Sequence, residues 1–160
     1  MQDRRHFHPT FGRLLLALLL AGCDGDIIIT DPDGFVSFQT LIQAQTSDIT
    51  VSRRQLIETS SEWAAVWNEI GRGGPPPEVD FRRDMVALVA AGSQPNGCFA
   101  IEIRSIDVRG SLLRIDADLT EPGPGCVCPT VVVHPVHAVR LREIHREVDF
   151  DVRRVVQRCG

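Results

Sequence analysis

The residues with the most chemistry in this sequence are five cysteines, at positions 23, 98, 126, 128 and 159, and five histidines. Cys126-x-Cys128 is followed by His134-x-x-His137, and zinc accepts Cys and His in tetrahedral sets. That spacing is not one structural zinc sites use, and residues three apart on a strand point to opposite faces. The set is carried as the metal alternative, with no metal or cofactor expected. The histidines read as ordinary strand residues, His134 being held extended by Pro135. For nucleophilic catalysis there is no Gly-x-Ser-x-Gly elbow, and Ser93 lies in the turn composition Ala91-Gly-Ser-Gln-Pro-Asn-Gly97. Glu102, Asp116 and Asp118 alternate with apolar residues, as a solvated strand face does. All 17 basic residues are arginine. The lack of lysine excludes a Lys-dependent P-loop, a Schiff-base enzyme and a lysine general base. A formal charge of −4 argues against a phosphate-backbone partner, so no nucleic acid is expected. The chain is not expected to be an enzyme; metal-binding or hydrolytic chemistry is the least favoured alternative.

The N-terminus explains the odd cysteine. Arg4, Arg5 and Arg13 precede the apolar run Leu14–Leu20, which is followed by Ala21-Gly22-Cys23. About eight apolar residues make a signal-peptide core and fall far short of the roughly 20 that span a bilayer. Leu20-Ala21-Gly22-Cys23 resembles the lipobox of bacterial lipoproteins. That resemblance implies a signal peptide over 1–22, acylation (palmitate among the acyl chains) of Cys23, and attachment to a membrane through that lipid. Residues 23–34 then form the acylated terminus and a short tether, and 35–160 a single domain. Asp3-Arg4-Arg5-His6-Phe7 resembles a twin-arginine export motif, so the export route stays open. The domain is expected in the bacterial cell envelope, outside the cytoplasm. With Cys23 lipidated, Cys98, Cys126, Cys128 and Cys159 make an even set, and an oxidising compartment reads it as two disulfides. A Cys126–Cys128 bond would close a tiny strained ring. Cys98 is therefore expected to pair with one of the two and Cys159 with the other.

These groups need a framework, and most of the chain has period two. Strands are expected over Phe35–Gln43, Ile49–Ile57, Met85–Ala91, Cys98–Val108 and Leu112–Leu119, with a weaker one over Val148–Val156. Thr130–Leu141 is a further strand, and Pro135 within it points to an edge position or a bulge. Arg109-Gly110 supplies a hairpin turn. The one helix is expected over Ser60–Ile70: Thr59 and Glu62 stand at capping-box spacing, and Trp63, Val66, Trp67 and Ile70 form one apolar stripe. That stripe reads as a helix packed on a sheet rather than an aromatic ligand platform. Gly71–Pro77 ends the helix and makes an exposed loop. The fold class is mainly β (α+β at the margin), an antiparallel β-sandwich or open barrel with one amphipathic helix near residues 60–70.

From Trp63…Trp67 through Met85–Gly92, Asn96–Ile103 and Pro122–Cys128 to Pro135–Leu141, the order of segments is similar to the PrcB family, lipoprotein subunits associated with protease complexes. The likeness runs over roughly 56–142. Family members carry Gly-Gly-Tyr where this sequence has Gly97-Cys98-Phe99, a departure that bears on the partner more than on the fold. The resemblance implies a non-catalytic role, binding or stabilising an envelope partner protein such as a protease. A secreted-protease inhibitor is the alternative. The exposed segments available for either role are Gly71–Pro77 and Gln94–Gly97.

Overall fold

The computed structural model describes residues 34–159. The expected signal peptide, Cys23 and all but the last residue of the expected tether lie outside the described residues. Seven strands and one helix follow in the order β1 (Phe38–Ala44), β2 (Arg53–Ile57), α1 (Ser60–Ile70), β3 (Asp84–Ala90), β4 (Ala100–Arg109), β5 (Leu112–Pro122), β6 (Val136–Arg142) and β7 (Glu147–Gln157). They form a four-stranded sheet, β1-β6-β3-β2, packed on a three-stranded sheet, β4-β5-β7. This is a sandwich rather than a barrel.

The helix starts and ends where local chemistry dictates. Thr59 Oγ1 accepts the Glu62 amide and the Glu62 carboxylate accepts the Thr59 amide, a complete capping box. The helix stops at Gly71, which is in the left-handed conformation and sends its amide to the Asn68 carbonyl. A Cβ at Gly71 would also run into the Asp48 carboxylate. Trp63, Val66, Trp67 and Ile70 are all buried. They pack on Val86, Leu88, Ala90, Val136 and Ala138, the outer face of the four-stranded sheet.

The opposite face of β3 (Met85, Ala87, Val89) meets the inward residues of the second sheet, Leu113, Ile115, Ala117 and Leu119 among them. β3 is therefore covered on both sides, by the helix and by the other sheet. Alternation disappears, and six consecutive residues from Met85 to Ala90 are buried. β5 has only one covered face and keeps clean alternation; Arg114, Asp116 and Asp118 line its solvent side. There Arg114 bridges Asp116 (2.9 Å) and Asp151 (2.5 Å), two carboxylates that the register places opposite each other.

Two expectations are corrected. Pro135 does not mark an edge: β6 begins one residue later and lies between β1 and β3. Proline has no amide to offer, but its carbonyl still accepts the Ala91 amide (2.9 Å) at the strand's entry. The second sheet is not wholly antiparallel, because β5 and β7 run parallel over eleven residue pairs.

The sandwich has two distinct ends. At one, Gly34–Val36 lies along Ile106–Val108 of β4, beside the Arg109-Gly110 turn. The other, about 35 Å away along β5, gathers the loops at 91–99, 123–135 and 157–159.

Candidate interaction surface at the disulfide-bonded end

The cysteines meet at that second end. Cys98, just before β4, is bonded to Cys128 (Cα–Cα 5.5 Å), and Cys126, just past β5, to Cys159 beyond β7 (Cα–Cα 5.1 Å). Cys126 and Cys128, two positions apart, thus tie one loop to two different places. Backbone bonds lock the same loops: Gly97 N–H to Pro129 (2.9 Å), Gly123 N–H to Gln157 (3.0 Å), and a two-way bridge between Gln94 and Val133 (2.8 and 3.0 Å). Gly92, at φ +70°, makes the turn into this region; a Cβ there would stand 2.7 Å from the Ser52 amide nitrogen.

The two loops singled out in the sequence are brought to this end. Gln45 donates to the Gly97 carbonyl, and its neighbour Thr46 accepts from Arg72 (3.4 Å). Gly71–Pro77 is also pinned from below, because the Trp63 indole N–H donates to the Pro77 carbonyl (3.0 Å). Its first five residues are exposed.

What this rigid end presents is apolar. Val127, between Cys126 and Cys128, is 98% exposed; Val131 (52%) and Val132 (58%) follow on the same loop, and Val156 (59%) lies at the end of β7. Valine side chains held in water on a cross-linked loop suit contact with another protein. Sequence reasoning missed these residues. Their only signal was Val131-Val132-Val133, an apolar run that forms no named strand, since only Val133 turns inward.

The residues of the metal alternative are engaged otherwise. Cys126 and Cys128 are in disulfides. His134 Nδ1 donates to the Ser47 carbonyl (2.9 Å). His137 is buried, with Nδ1 accepting the Ile103 amide (2.8 Å) and Nε2 against Thr40 Oγ1 (3.0 Å). Burial pushes the His137 pKa below its ordinary value, partly opposed by the Glu102 charge. Among the described residues no three potential ligands come together. The Ser93 hydroxyl donates to the Thr50 carbonyl (3.2 Å). Asp116 and Asp118 are spent on the arginines of the solvated face, Asp118 through Arg153 at 2.9 Å, and Glu102 pairs with Arg104 at 3.0 Å.

No curated protein and no solved structure matches the chain. A family model does: PrcB C-terminal, over residues 85–142. The matched stretch runs from β3 to β6, holds Cys98, Cys126, Cys128 and His137, and begins after the helix, later than the likeness read from the sequence. Over this segment, which carries β3 to β6 and so parts of both sheets, the chain is similar to the PrcB C-terminal family.

Proposed function

We propose that this chain is a non-catalytic envelope lipoprotein that binds and stabilises a partner protein, and that the partner is a protease complex. The likeness of the β3–β6 segment to the PrcB C-terminal family supports the protease association. The observation that supports binding is the disulfide-tied end, where Val127, Val131 and Val132 stand in solvent on loops braced by two cross-links. Ordered loops lose little freedom on association, so apolar area there converts efficiently into affinity.

The lipid reading and the fold agree in geometry. Gly34, the first described residue, joins the domain at the Arg109-Gly110 end. Ten residues lie between Cys23 and Gly34, a reach of at most about 40 Å. An anchor at Cys23 therefore attaches to the domain at the end opposite the exposed valines. Signal cleavage, acylation and envelope location belong to this proposal.

Affinity isolation from gently solubilised membranes, with mass spectrometry, tests the proposal. Recovery of an envelope protease with a half-life that falls when the chain is deleted supports it. Lowered protease turnover by the purified chain moves the assignment to the inhibitor alternative, and recovery of no envelope protein contradicts both.

A further inference from the structure

The sandwich is open along one side, between β2, an edge of the four-stranded sheet, and β7, an edge of the other. A cleft of about 230 Å³ lies there, floored by Ile101, Leu119 and Val152. Its rim is basic. Arg54 sits in register with Val89, and Arg154 with Leu119. Both partners face the core between the sheets, so both arginines stem from inner faces and approach the cleft from opposite walls. Arg53 also borders the cleft, but its register with Ala90 puts its side chain on the helix side of the sheet. Arg53 is matched by Glu69 (2.6 Å) and Arg154 by Glu121. Arg54 has no carboxylate partner among the described residues and is exposed. In a chain with net charge −4, the Arg54 guanidinium leaves an uncompensated positive charge at this cleft.

We propose that this cleft is a carboxylate-binding groove that takes an extended, acidic and apolar segment of the partner protein. The inference rests on the partner-binding reading and names the chemistry of its contact. Three features converge on that occupant. The Arg54 guanidinium, with no carboxylate of its own, offers a charge-assisted fork to an incoming carboxylate, opposite the Arg154–Glu121 pair on the facing wall. The floor takes small apolar side chains. The flanking strands are edges, whose outward main-chain groups can pair with an added strand. Alternation in such a segment would send apolar side chains to the floor and carboxylates to the arginine rim.

The test uses the full chain purified in mild detergent and a fluorescein-labelled peptide of alternating valine and glutamate, with a valine–glutamine peptide as control. Anisotropy should show the glutamate peptide binding at least about tenfold more tightly. Arg54→Gln should weaken it about tenfold with the melting temperature unchanged. Arg54→Glu should reverse the preference toward a valine–lysine peptide. Equal affinity for the glutamate and glutamine peptides, no binding of either, or unchanged binding by Arg54→Gln overturns the proposal. Such a failure with an envelope partner still recovered from membranes removes the groove and leaves the partner reading standing.

Discussion

His137 Nδ1 accepts the Ile103 amide at 2.8 Å, so a side chain from the centre of one sheet holds a backbone group at the edge of the other. Because Ile103 can only donate there, Nδ1 carries the lone pair and Nε2 carries the proton, which it gives to Thr40 Oγ1. The imidazole is neutral in the fold. Protonation of Nδ1 would set two donors against each other inside the sandwich.

That tautomer makes stability depend on pH with a definite sign. The folded pKa of His137 is below its ordinary value, so the unfolded chain binds the proton more readily. Its contribution is complete above the unfolded value of about 6.5 and is lost as pH falls toward the folded value. Urea midpoints should drop between pH 7.5 and 5. His137→Asn, which keeps an acceptor near Nδ1 but cannot titrate, should flatten that slope; an equally steep slope would show that other groups cause it.

Trp63 does two jobs. Its indole packs at 5.5 Å (centroid to centroid) from that of Trp67, and its N–H holds the Pro77 carbonyl. Trp63→Ala should cost about 3–5 kcal/mol by urea denaturation. Trp63→Phe should retain most of the packing and lose the hydrogen bond, about 1–3 kcal/mol for the Pro77 carbonyl left behind. Equal losses for the two variants would assign the effect to the bond alone.

The disulfides have a simple chemical readout. Non-reducing peptide mapping of exported protein should link Cys98 to Cys128 and Cys126 to Cys159. Removing either pair by double Cys→Ser substitution should cost roughly 2–4 kcal/mol, since each closes a loop of about 30 residues. Four free thiols would refute the arrangement.

Replacing Cys23 with Ala tests the anchor. The expected outcome is loss of the protein from the membrane fraction with the domain still folded. An unchanged membrane fraction would contradict acylation at that residue.

How much of this was legible beforehand varies with how local the physics is. Helix α1 was readable to the residue, because the Thr59–Glu62 box and the Trp63–Ile70 stripe are both short-range signals. The β4–β5 hairpin was readable for the same reason, through alternation on both sides of Arg109-Gly110. The parallel β5–β7 pair was not: its partners lie 35 positions apart, and nothing in either strand states the direction of the other. Pro135 misled because a missing amide matters only inside a strand, and this proline stands just outside one. For the interaction surface, the cysteine set and both loops were visible in the sequence. The exposed valines were not, since a Val run reads as buried strand until the fold shows which residues turn outward. The arginine cleft was equally hidden, because Arg54 and Arg154 are a hundred positions apart and meet only across the sandwich.

The central claim is that the disulfide-bonded end engages an envelope protein while the proposed anchor attaches at the opposite end. Site-specific photo-crosslinking in intact cells tests it most directly, with the probe at Val127 or Val131 and, for comparison, at Arg109 beside the hairpin turn. The account predicts a discrete protein adduct from Val127 and Val131, identified by mass spectrometry, and none of that adduct from Arg109. Protein adducts from Arg109 with none from the valines would contradict it.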